Sequence, residues 1–193
     1  MAESIVMVNG LPGAGKSTLA PSLARALGAT SLSKDAVKEA LASVAPPTLR
    51  GALGAIAMDT VWRLAARTAG IAVVDSWWFL PRDLGFARSG VEVARAGRVV
   101  EVWCNVPVEV ARQRFEERVR HEVHDDGRDM EREWAAWSAA GAPLGIGPVV
   151  RVDTTSPVDV GGLADRVSRL LGRPAHDGTV GAARRPSELG DTP

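Results

Sequence analysis

Residues 9–18 read NGLPGAGKST, three glycines and a proline followed at once by a lysine and two hydroxyls. In register this is Gly10, four residues, Gly15, Lys16 and Ser17, the spacing of a phosphate-binding loop. The chemistry asks for these types. Glycines let backbone N–H groups converge on phosphate oxygens, and a helix starting where the loop ends turns its positive N-terminus on the same anion. Lys16 would reach the β- and γ-phosphates of a nucleotide, and the Ser17 hydroxyl would ligate Mg²⁺. Leu11, Pro12, Gly13, Ala14 and Thr18 complete the predicted cradle. The alternative, a glycine-rich turn with a surface lysine, sits poorly with a chain that has only three lysines.

Two carboxylates could work beside this loop. Asp75 closes the apolar run IAVVDS, the pattern of a Mg²⁺-coupling carboxylate, which is favoured over the alternative of a strand-end Asp capping the next turn. Asp35 falls in the first turn of a predicted helix, where the dipole alone favours an acid. Its functional reading is to accept the proton of an acceptor hydroxyl and to align that oxygen with the γ-phosphorus. Trp77 and Trp78 follow Asp75 closely and offer an aromatic wall for an organic substrate.

Farther on, PVEVARQRFEERVRHEVHDDGRDMER carries an apolar stripe, Val108, Ala111, Phe115 and Val119, so its arginines project elsewhere. The stretch reads as a helix entering a lid, about 118–131, that brings guanidinium groups over the phosphates. Arg114 and Arg118 share a face at four-residue spacing and are the arginines selected for that task. The competing reading is a solvated helix with i,i+4 ion pairs. His121, His124 and the neighbouring aspartates could ligate a metal, but their flanks are hydrophilic and lid-like. Cys104, the one cysteine, falls on a predicted buried strand and is not expected to be a nucleophile.

The elements that must position these residues alternate. Strands are predicted at 4–9, 29–33, 71–76, 98–106 and 148–153, with helices after each. The first helix carries Leu19, Leu23, Ala26 and Leu27 at helical spacing, and others fall at 34–44, 48–69, 83–96, 107–120, 129–139 and 157–171. Alternation of this kind gives an α/β fold with a parallel sheet covered on both faces. Ligands then gather beyond the carboxyl ends of the strands, where the loop, Asp35 and Asp75 all fall. The 193 residues suit one domain, 1–172, followed by a tail, 173–193, too poor in large apolar side chains to order itself. Formal net charge is zero, which argues against a general nucleic-acid binder. There is no leader-like start and no apolar run of membrane-spanning length, so a cytoplasmic protein, monomer or homodimer, is expected.

Taken in order, GLPGAGKST, LSKDAVKEAL, VVDS, VPVEVARQRFEERV and VVRVDTTSP resemble the small P-loop kinases of the AAA-like predicted-kinase ATPase group, near polynucleotide 5′-kinase, gluconate kinase and chloramphenicol phosphotransferase. The resemblance spans residues 4 to about 171. It implies a five-stranded parallel sheet in the order 2-3-1-4-5 with an arginine-bearing lid, and ATP and Mg²⁺ as cofactors. It also implies that Asp35 matches the acceptor-binding acid and Arg114 or Arg118 the lid arginine. Asp153 and Thr154 fall where relatives pass the adenine ring. The activity implied is transfer of the γ-phosphoryl of ATP to a hydroxyl of a small molecule such as an antibiotic, sugar or nucleoside. A polynucleotide or nucleotide-sugar kinase, or an ATP-hydrolysing regulator without an acceptor, are the alternatives. The segment 46–70 and the Trp77–Trp78 pair match no substrate signature and leave the acceptor open.

Overall fold

The computed structural model describes residues 2–119, 121–124 and 129–173. All but the first residue of the expected tail, and residues 120 and 125–128 of the expected lid, lie outside the described residues. Five parallel strands, β1 (Ala2–Asn9), β2 (Thr30–Ser33), β3 (Gly70–Asp75), β4 (Arg98–Asn105) and β5 (Val149–Asp153), form one sheet in the order β2-β3-β1-β4-β5. The order the resemblance implied is the order found.

Alternate residues of the central strand feed two cores. Val6 and Val8 face the layer of α1 (Lys16–Ala26) and α7 (Val160–Leu170), with Leu23 and Val167 fully buried against them. Ile5 and Met7 face α3 (Leu53–Ala65) and α4 (Leu80–Ala94), where Val61, Trp62 and Ala87 close the second layer. Burial on both faces is why β1, β3 and β4 read as near-continuous apolar runs rather than alternating ones. α5 (Val108–Glu117) and α6 (Met130–Ala140) add Ala111, Trp134 and Trp137 to the first core, and α2 (Lys34–Ala42) packs against α3.

Two predicted helices are corrected. The span 48–69 divides into a 3-10 turn, Pro47–Ala52, and α3, a break that coincides with Gly51 and Gly54, weak helix formers. The helix expected to reach residue 120 ends at Glu117, and Arg118 leaves it with extended backbone (φ −80°, ψ 124°). Val119, expected on the apolar stripe, is 97% exposed, so no packing carries the helix further. Ala111 is buried and Phe115 packs edge-on against Trp134, as the earlier part of the stripe requires.

Candidate active site

The site begins where β1 stops. Asn9 is fully buried, and its Oδ1 accepts hydrogen bonds from the Gly10 N–H at 2.8 Å and the Trp78 N–H at 3.1 Å. Its Nδ2 donates to Glu101 on β4 at 2.9 Å. Glu101, also fully buried, accepts from the Leu144 and Gly145 N–H groups at 2.9 Å each. One amide and one carboxylate thus tie together the start of the phosphate loop, the segment after β3 and the 144–145 turn. Sequence reasoning missed both, because an Asn and a Glu at strand positions carry no spacing signal. Glu101→Ala would leave the buried Leu144 N–H and one N–H of the Asn9 amide without an acceptor, each worth about 1–3 kcal/mol when unmet. A fall of several degrees or more in melting temperature is expected, measured by calorimetry.

The loop then turns on left-handed backbone at Gly13 (φ +81°), where a Cβ would also collide with the Ala111 carbonyl. Any side chain there would be doubly penalised. Lys16, 9% exposed, bends back so that Nζ donates to the Gly10 and Leu11 carbonyls at 2.9 Å each. Leu11 and Ala14 are buried and serve the loop through backbone, while Pro12, Gly13, Gly15, Ser17 and Thr18 border the cavity beside it. Burial pushes the Lys16 ammonium below its ordinary value, with Arg118 adding to the effect. Asp75, Cys104 and Asp35 oppose it. This coupling places Lys16 within the electrostatic reach of both predicted carboxylates.

Asp75 ends β3 almost wholly buried, and the Ser33 hydroxyl donates to its Oδ2 at 3.2 Å. Burial pushes its carboxyl above the usual range, while Lys16 and hydrogen bonds from Ser17 and Ser33 pull it back. Asp35 enters through the first turn of α2, capped by Ser33 Oγ accepting from the Ala36 N–H at 3.4 Å. Its carboxylate stands 3.6 Å from the Lys34 ammonium. Asp35 borders both the main cavity, about 920 Å³, and a recess of about 170 Å³ behind it, shared with Glu39, Arg118 and His124.

The far wall is closed by α5 and the loop after β5. Arg114 Nη1 and Nη2 donate to the Thr154 and Thr155 carbonyls at 2.9 Å each. Asp153 Oδ1 accepts from the Thr155 N–H at 2.8 Å and hydroxyl at 2.7 Å. Thr154 borders the cavity, whereas Asp153 does not: its side chain is occupied in shaping the turn. Arg114 and Arg118 both border the cavity, but Arg118 arrives there by the chain leaving the helix rather than by helical spacing.

Of the paired tryptophans, only Trp77 faces the site. Its ring lies 6.0 Å from Lys16 Nζ and packs against Phe79, Trp103 and Trp137. Trp78 is 3% exposed and packs on Trp62 in the second core, so the expected two-residue wall is corrected to one. Consecutive side chains diverge, and the Asn9 hydrogen bonds to the Trp78 backbone set which one turns inward. Trp137 from α6 and Phe115 from α5 also border the cavity. Lys34, Lys38 and Arg82 border the cavity too, and no motif pointed to them. Cys104 is buried on β4, the strand position expected for it, and burial pushes its thiol up to about 12. Among the described residues no three His, Cys, Asp or Glu side chains converge as a metal cage. None of the described helices is long and apolar enough to cross a membrane.

A five-stranded parallel sheet in this order, with a GxxxxGK[ST] loop at the end of its central strand, defines a P-loop kinase-like fold. Residues 5–142 match the model of the AAA domain family AAA_33, and the chain belongs to that family. A presumed kinase from Chloroflexus aurantiacus is 25% identical, with a TM-score of 0.71 over 86% of this chain and 97% of its own. A gluconokinase from Sinorhizobium meliloti is 21% identical, with a TM-score of 0.54 over 90% of this chain and 94% of its own. The shikimate kinase of Acinetobacter baumannii, solved with shikimate, is 19% identical, with a TM-score of 0.54 over 86% of this chain and 92% of its own. No curated protein matches the sequence.

Proposed function

We propose that the protein is an ATP-dependent phosphotransferase that moves the γ-phosphoryl group to a hydroxyl of a small molecule. One observation carries this reading: the loop lysine, the Ser17–Asp75 pair and Asp35 border a single cavity, with Lys16 coupled electrostatically to both carboxylates. The loop N–H groups and the start of α1 hold the phosphates, and Lys16 leaves its two carbonyls to meet the β- and γ-oxygens. Arg118 adds positive charge where the transferring group gains negative charge. Arg114, tied to the Thr154–Thr155 carbonyls, holds the loop that would flank the base.

The Ser17 hydroxyl and the Asp75 carboxylate are hard oxygen donors, which fit Mg²⁺ held by one or two protein ligands plus phosphate oxygens. When bound, the ion would neutralise charge on the β- and γ-phosphates. In the transfer itself the acceptor oxygen bonds to the γ-phosphorus, the bond to the β,γ-bridging oxygen breaks, and ADP leaves. The hydroxyl proton passes to Asp35. Trp77 and Trp137 give the acceptor an apolar surface and help exclude water.

A screen of ADP release over alcohols, sugars, nucleosides and hydroxy acids tests the reading. Release that rises with one acceptor class supports it, and release indifferent to every acceptor contradicts it. The arginines divide in the same assay. Arg118→Ala is expected to lower kcat by roughly tenfold or more with little change in KM for ATP. Arg114→Ala is expected mainly to raise KM for ATP, because its hydrogen bonds shape the loop beside the nucleotide.

A further inference from the structure

The helix α4 meets the core on one side only. Ala87, Gly90 and Ala94 are buried there, and a Cβ at Gly90 would strike the Trp62 ring of α3. The opposite side carries two small exposed residues a turn apart, Gly85 and Ser89. Along one flank of that strip run Phe86 and Val93, 74% and 51% exposed, seven residues and so about two turns apart. Along the other flank run Arg88 and Glu92, four apart, both exposed and neither ion-paired among the described residues. None of these six residues borders the cavity, so phosphoryl transfer gives them no task.

This face is complementary to itself. When two copies of a helix pack antiparallel about a two-fold axis, like flanks meet, and a residue before the axis faces one equally far beyond it. An axis passing between Ser89 and Gly90 sets Phe86 of each copy on Val93 of the other. The midpoint of Arg88 and Glu92 is Gly90, half a residue away, so the same register brings each Arg88 to the Glu92 of the second copy. One edge then closes with two apolar pairs and the other with two ion pairs. Gly85 and Ser89 lie between, where small side chains let helix axes approach to about 8 Å. A polyanionic partner would ask for cations alone, whereas this face carries one charge of each sign. We propose that α4 forms the interface of a symmetric homodimer, its exposed face covered by the same face of a second copy of this chain. A helix of 15 residues is about 22 Å long, and a pair of them covers less than the roughly 800 Å² per partner of a standard interface. The dimer is therefore reversible, and dilution separates it.

Sedimentation velocity of the full chain over a range of concentrations tests this. A monomer–dimer equilibrium is expected, with Phe86→Lys raising the dissociation constant by about tenfold or more. Arg88→Glu and Glu92→Arg each set like charges across the axis and should weaken the dimer similarly. The double variant Arg88→Glu/Glu92→Arg restores both pairs with their signs exchanged, and should dimerise within about threefold of the original chain. All three positions are exposed, so melting temperatures should stay close to that of the original chain. A monomer at every concentration, a dimer that these variants leave unchanged, or charge reversals that do not rescue one another overturns the inference. So does a monomer that Phe86→Lys destabilises by several degrees, which would put a segment of the same chain, such as 174–193, on this face. None of these outcomes touches the kinase reading.

Discussion

Lys16→Ala is expected to lower phosphoryl transfer on the order of 10²-fold or more, since one preorganised cation at a developing charge is worth about 3–4 kcal/mol. The ammonium is already inside the site, 9% exposed and held 2.9 Å from two loop carbonyls. Burial works against its charge, so phosphate oxygens that restore a full ionic partner are favoured over the carbonyls. The fold should survive, because removing a desolvated cation relieves its burial cost and the loop remains anchored through Asn9 and Gly10. Single-turnover transfer and a melting curve separate the two effects. Near-normal turnover would remove Lys16 from the chemistry.

Asp35→Asn is expected to lower acceptor-dependent turnover by about 10²–10⁴, the span typical of losing a positioned general base. Size and hydrogen-bonding capacity are kept, and only the charge and proton affinity go. Affinity for ATP–Mg²⁺ should stay within about threefold, since Ser33 hydrogen-bonds Asp75 and caps α2 without help from Asp35. The helix loses only a dipole interaction of about 0.3–1 kcal/mol. Parallel loss of nucleotide binding would place Asp35 with the metal-binding residues, and unchanged turnover would leave it a helix-start residue.

What could be read beforehand depended on how locally each feature is determined. The phosphate loop was legible because its function demands fixed types at fixed spacing, and the strands because burial on both faces writes apolar runs. Asp35 and Asp75 followed from their position at strand ends. The misreadings lie where a distant contact, or a turn's own side-chain bonds, decide. Whether Trp77 or Trp78 faces the cavity depends on hydrogen bonds from Asn9, 69 residues away in sequence from Trp78. Asp153 turns to its own Thr155 instead of the cavity. Arg118 reaches the cavity although α5 has ended at Glu117, where the stripe's next residue, Val119, is 97% exposed. Lys34, Lys38 and Arg82 converge only once β2 and β3 lie side by side, a pairing no local pattern specifies.

The most direct test of phosphoryl transfer is ³¹P NMR of a reaction mixture holding the protein, ATP, Mg²⁺ and the acceptor that most accelerates ADP release. A phosphate monoester resonance should grow in step with ADP, and it should fall with the same Asp35→Asn and Lys16→Ala variants that slow ADP release. ADP accompanied only by inorganic phosphate, at a rate no acceptor changes, would contradict the assignment of this site to phosphoryl transfer.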